Sequence, residues 1–158
     1  GAIAAVIADS MGMKVTVFSS SPDKEPVARK CGAANFLSAN IESNIKEIEK
    51  SFDLIITTSP GNIDLNSYLE LLKPTGKFCF LGLPFEQQHF SASILADYAS
   101  RSVYGSYVGS VYELTQLFEL AMNKRMQVDV KEFNIAALND AVESVKNSNS
   151  NEKIILKW

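Results

Sequence analysis

The chain has 158 residues, enough for one domain with a real core. Its 46% hydrophobic and 21% charged residues exclude a disordered chain, and a formal charge of −3 excludes a broad basic surface for nucleic acid. The longest apolar run, residues 2–8, falls far short of a membrane span, and no charged segment precedes it to make a signal peptide.

Residues 1–11 are Ala-rich and apolar nearly all round, with Gly12 behind them, and predict a buried helix closed by a C′ glycine. Residues 15–18 (VTVF) predict a short buried strand. Ser19-Ser20-Ser21-Pro22 predicts a turn; Pro22 opens a helix to about Lys30, and Gly32 stands behind it. A brief strand over 35–37 precedes an amphipathic helix over 41–50, where Ile41, Ile45 and Ile48 recur at helical spacing. Residues 52–58 (FDLIITT) predict a strand, 64–72 a helix stopped by Pro74, and 76–82 (GKFCFLG) another strand. A helix over 91–99, a strand over 102–107 and a long helix over 110–124 follow, the last with Leu114, Leu117, Phe118 and Ala121 on one face. This alternation predicts an α/β fold on a parallel, doubly wound sheet. The last third breaks the rhythm, with a strand over 128–133, a helix over 135–145, a polar loop over 147–151 and a closing strand over 153–157.

Cys31 and Cys79 fit no Cys-x-x-Cys pattern and read as buried thiols in a reducing compartment, the cytoplasm. The single histidine, His89, sits in a polar stretch and reads as solvated, so the chain offers no catalytic zinc site.

A dinucleotide fold places a glycine-rich turn after its first strand, and the end of its second strand meets the adenosine ribose about 20 residues on. This chain shows the second half of that unit without the first. Gly1 opens the buried helix, and the end of the next strand falls at Ser19-Ser20-Ser21, with Lys24 after it. An NAD-selective site places a carboxylate at that point. Hydroxyls and an ammonium suit a 2′-phosphate instead, which leans the chemistry toward NADP(H). On spacing alone, a polar turn with a helix-capping serine stands beside that reading.

The stretch Met13-Lys14-Val15-Thr16-Val17-Phe18-Ser19-Ser20-Ser21-Pro22-Asp23-Lys24 resembles the medium-chain zinc alcohol dehydrogenases, cinnamyl alcohol dehydrogenase branch. Further matches keep the family's order: Phe52 to Ile56 with Thr58, Tyr68-Leu69 with Leu71 to Lys77, Leu81-Gly82-Leu83-Pro84, and Gly105-Ser106-Tyr107-Val108-Gly109-Ser110. The resemblance implies a Rossmann-like sheet lacking its first strand, over residues 1–125. It also implies a segment, 126–158, that returns to the catalytic domain. By resemblance, Ser19, Ser20, Ser21 and Lys24 bind the 2′-phosphate of NADP(H), and Thr58 lies near the adenine end. Leu83 and the Ser106 to Val108 backbone lie beside the nicotinamide carboxamide, and Gly1 matches the last glycine of the cofactor motif. Gly82 and Gly105 also read as plain strand-end glycines.

The resemblance implies alcohol–aldehyde interconversion by hydride transfer, a small-molecule substrate, and a homodimer through the edge strand near 102–107. Departures accompany it. Ala2 stands where many relatives carry histidine, and Lys153 where they often carry arginine. The family's zinc ligands belong to a segment that these residues do not match, so neither a catalytic residue nor a metal ligand is expected on this chain, and no turnover from it alone. A non-catalytic remnant, or an NADP(H)-binding or oligomerisation module, is the alternative. Without a partner domain, Leu138, Val142, Val145 and Ile155 are expected to form an exposed patch.

Overall fold

The computed structural model describes residues 1–38, 48–147 and 153–158. The chain divides into two compact units, Gly1–Ser38 with Val111–Trp158, and Ala39–Ser110.

In the first unit, α1 (Ala2–Ser10) runs into Gly12, whose φ of +81° suits only glycine well. Strand β1 (Thr16–Ser19) pairs in parallel with β2 (Asn35–Ser38), with Val17 opposite Phe36 and Ser19 opposite Ser38. Between them a 3₁₀ turn (Pro22–Lys24) leads into α2 (Glu25–Lys30), with Arg29 and Lys30 in its last turn, where cations suit the helix dipole. Gly32, at φ +91°, closes α2 against α1. A Cβ there would lie 2.5 Å from Cγ of Asp9.

Helix α5 (Val111–Lys124) belongs to this unit, as do β6 (Val130–Asn134), a 3₁₀ turn (Ile135–Ala137), α6 (Leu138–Asn147) and β7 (Lys153–Lys157). β6 and β7 pair in parallel. Asn134 caps the turn by accepting the Ala136 N–H at 2.9 Å. Asp129 ties the parts together: it takes Lys30 Nζ at 2.6 and 2.8 Å, and its carbonyl accepts the Lys153 N–H at 3.0 Å.

The second unit carries β3 (Phe52–Thr57), α3 (Leu65–Glu70), β4 (Leu72–Phe80), α4 (Ser93–Ala96) and β5 (Ser102–Gly105). Its sheet order is β3-β4-β5, parallel throughout. Leu65, Leu69, Leu71, Leu72 and Phe78 are the fully buried large side chains, each contributing about 1.5–3 kcal/mol by leaving water. Asp64 caps α3, accepting from the Ser67 N–H and its hydroxyl. Arg101 is buried as well, its guanidinium donating to the carbonyls of Leu72 at 3.0 Å and Ile94 at 3.2 Å.

The parallel α/β reading holds, but five elements correct the sequence expectations. The helix expected over 64–72 ends at Glu70, before Pro74 can act. The Glu70 and Leu71 carbonyls accept from Lys50, Ser51 and Phe52, at the start of β3, so the chain turns into β4 at once. The helix expected over 91–99 shrinks to Ser93–Ala96. Arg101 claims the Ile94 carbonyl, and Asp97 is extended at ψ 115°. The apolar face of α5 is not buried, since Leu114 is 49% and Phe118 60% exposed. In α1 only Ala5 is buried, and β1 is half-buried throughout. Most of the helix expected over 41–50, and of the loop over 147–151, lies outside the described residues.

Candidate cofactor site

The first unit places the serine run at the carboxyl end of β1. Ser19 ends the strand, and its Oγ accepts the Ser21 N–H at 3.2 Å, a hydroxyl turn that fixes the loop. That leaves the Ser19 hydroxyl proton free to donate. Ser20 is exposed, and Ser21 and Lys24 are half-buried. The Lys24 N–H donates to the Ser21 carbonyl at 3.1 Å, closing the 3₁₀ turn. Three hydroxyls and an ammonium therefore share one turn, with no carboxylate from Ser19 through Ser21.

Gly1 is the N-cap of α1, and its carbonyl accepts the Ala5 N–H at 3.1 Å. Lys153 and Lys24 lie close enough to Gly1 for their positive charges to act on it. Gly1, Lys24 and Lys153 thus share one electropositive neighbourhood at a helix N-terminus, the kind of setting that suits phosphate oxygens. The donor chemistry of this unit fits an NADP(H) phosphate.

The second unit gathers the other candidates at one sheet edge, because parallel strands end on the same side. Thr58 follows β3, Leu83 follows β4, and Ser106 and Val108 follow β5. The Thr57 carbonyl accepts from Leu81 at 2.9 Å and Gly82 at 3.2 Å, and the Ser106 N–H donates to the Phe80 carbonyl at 2.9 Å. Gly82 passes so close to β3's exit that a Cβ would meet the Ser59 carbonyl oxygen at 2.8 Å and the Thr58 carbonyl carbon at 3.0 Å. Thr58 and Leu83 are thereby neighbours. Leu83 is 65% and Val108 78% exposed, open to a ligand at that edge. In open α/β sheets, ligands bind at the carboxyl ends of the strands.

Sequence reasoning missed Ser59, the residue Gly82 abuts, whose Oγ accepts the Gly61 N–H at 3.2 Å. A serine before Pro60-Gly61 was the available signal. It also missed Arg101, which a lone arginine between two serines does not advertise.

Among the described residues, no group of three or more His, Cys, Asp or Glu side chains lies close enough to hold a metal ion. Cys31 and Cys79 are both free. Burial raises the Cys31 thiol pKa, Asp129 raises it further, and Lys30 opposes. Burial also raises the Tyr104 hydroxyl pKa, helped by its hydrogen bond with Cys79 across β4 and β5. No helix among the described residues is long and apolar enough to cross a membrane.

A family model described as zinc-binding dehydrogenase matches residues 1–123. The chain belongs to the zinc-binding dehydrogenase family. Several proteins it is similar to are named cinnamyl alcohol dehydrogenases. A probable cinnamyl alcohol dehydrogenase 2 of Picea abies is 34% identical over 143 residues, 89% of this chain and 40% of the relative. NADP-dependent alcohol dehydrogenase C 1 of Mycolicibacterium smegmatis is 29% identical over 157 residues, 99% of this chain and 44% of the relative. A solved cinnamyl alcohol dehydrogenase of Sorghum bicolor superposes with a TM-score of 0.88 at 27% identity, over 99% of this chain and 44% of that one. The dehydrogenase chain thus spans less than half the length of the relatives it matches.

Proposed function

We propose that these residues form the cofactor-holding part of an NADP(H)-dependent alcohol dehydrogenase, interconverting small alcohols and aldehydes. The observation that carries this reading is the turn at the end of β1, with three serine hydroxyls and Lys24 where NAD selectivity would need a carboxylate. Residues 1–125 hold the nucleotide, and 126–158 form the return leg toward a catalytic domain. Ser19, Ser20 and Ser21 donate to the 2′-phosphate, and Lys24 supplies the countercharge. The N-terminus of α1 at Gly1 faces the pyrophosphate. Thr58 borders the adenine end, and Leu83 with the Ser106 to Val108 backbone orients the nicotinamide ring. When bound, the nicotinamide supplies hydride transfer at its C4.

The free thiols fit a reducing cytoplasm. β5 pairs only with β4 among the described residues, and we propose that its outer edge pairs with a second copy across a two-fold axis. A monomer by light scattering at high concentration would count against that pairing. A second reading, a remnant that associates without catalysis, draws support from α5, on which no residue is buried.

Calorimetric titration with NADPH and NADH tests the site. NADPH should bind about tenfold or more tightly than NADH, and Lys24→Ala should erase most of that difference. Equal affinity for both cofactors, or no binding of either at millimolar concentration, would overturn the proposal.

A further inference from the structure

We infer that Ser21 is a phosphorylation site for a proline-directed protein kinase, and that its phosphate excludes NADP(H) from the turn at the end of β1. The inference rests on the 2′-phosphate reading above, but the acceptor site stands on its own observations.

Ser21-Pro22-Asp23-Lys24 is the only one of the three turn serines followed by proline, with a lysine three residues on. A proline-directed kinase needs an extended serine, because the following proline forbids its helical conformation. Ser21 is already extended, at φ −111° and ψ 102°. Its hydroxyl does not cap the 3₁₀ turn and makes no hydrogen bond to a described residue. Pro22 and Asp23 are exposed. The turn that follows is three residues long and held by two backbone bonds, Lys24 N–H to the Ser21 carbonyl and Glu25 N–H to the Pro22 carbonyl. A kinase cleft can therefore open it to Lys24 by breaking those two bonds. Ser19, by contrast, uses its hydroxyl to hold the Ser21 N–H, and neither Ser19 nor Ser20 precedes a proline.

The transfer is balanced: the γ-phosphoryl group of ATP passes to Ser21 Oγ, the bond to the β-phosphate oxygen breaks, ADP leaves, and the serine proton is released. The product carries close to two negative charges at neutral pH. It sits in the turn that would receive the 2′-phosphate and competes for the same Lys24. Phosphate facing phosphate is repulsive, whereas NADH brings only a neutral 2′-hydroxyl to that point.

The test treats the purified protein with ATP and a proline-directed kinase, locates the phosphate by peptide mass spectrometry, and titrates NADPH and NADH before and after. We expect one phosphate on Ser21, an NADPH affinity lowered about tenfold or more, and an NADH affinity changed by less than about twofold. Ser21→Ala should show no change on kinase treatment. Pro22→Ala should abolish the modification while keeping NADPH binding. Absence of phosphate on Ser21 overturns the site, and phosphate on Ser21 with unchanged NADPH affinity overturns its effect. If the untreated protein shows no preference for NADPH, the cofactor reading fails, while the mass measurement still decides the site.

Discussion

Replacing Ser19 with aspartate should invert the cofactor preference. Ser19 ends β1, and its Oγ accepts the Ser21 N–H at 3.2 Å. An aspartate oxygen can accept the same N–H, so the loop keeps its path. What changes is charge. A carboxylate about 5 Å from a doubly charged 2′-phosphate repels it by about 1.7 kcal/mol at the dielectric of water, about fifteenfold in NADPH affinity. The same carboxylate accepts the ribose 2′-hydroxyl of NADH, worth about 1 kcal/mol net or about fivefold. Together these shift the preference by about seventyfold. Calorimetry with each cofactor at low and high salt reads both terms, since screening should shrink the NADPH penalty and spare more of the NADH gain. If Ser19→Asp changes both affinities by one common factor, the 2′-phosphate does not face this turn and the reasoning fails.

Arg101→Met should lower stability by about 3 kcal/mol, because it leaves the Leu72 and Ile94 carbonyls without their charged donor. Thermal unfolding should show a drop of about 6–12 °C, and a shift below about 2 °C would mean water replaces the guanidinium. Gly32→Ala places a left-handed alanine with its Cβ against Asp9, at a cost of about 1–2 kcal/mol from the backbone alone, readable by urea denaturation. Cys31 should alkylate more slowly than a free thiol at mildly alkaline pH, because burial and then Asp129 raise its pKa, and Asp129→Asn should speed the reaction. The same raised pKa favours the neutral thiol in the folded state. Its contribution is complete below the ordinary thiol pKa and fades as pH climbs through that range.

The elements that sequence read well are those whose ends are marked by local chemistry. Gly12 and Gly32 take positive φ where helix stops were expected, and Pro22 starts the turn into α2. The elements misread depend on distant partners. The end of α3 is set by the start of β3 claiming its last carbonyls, and the length of α4 by Arg101 taking the Ile94 carbonyl. The α3 end joins segments far apart in sequence, and Arg101, though only 7 residues past Ile94, is anchored at the Leu72 carbonyl 29 residues back. The face of α5 has a clear helical period, yet period says only that a face is apolar, not that something covers it. Of the candidate site, the turn chemistry at Ser19 to Lys24 was legible because it is contiguous. The approach of Gly82 to Ser59 was not, because it joins two strand ends far apart in sequence.

The sheet orders bear on the cofactor turn directly. A dinucleotide sheet runs 3-2-1-4-5-6, and its first strand feeds the glycine loop that cradles the pyrophosphate. Taken one sheet at a time, this chain shows β2-β1 and β3-β4-β5, which match 3-2 and 4-5-6 in that order. In such a sheet the pyrophosphate meets the N-terminus of the first helix and the ribose meets the end of the second strand, positions that α1 and β1 match. This separates two energies that a cofactor titration would otherwise mix. The turn proposed for the 2′-phosphate lies within residues 19–24 and should set the ratio of NADPH to NADH affinity. The pyrophosphate contact at the α1 N-terminus is common to both cofactors, so it scales both affinities by one factor. A protein whose NADPH-to-NADH ratio falls on Lys24→Ala while its NADH affinity holds is the expected result, and a change of both affinities by one factor would contradict the argument.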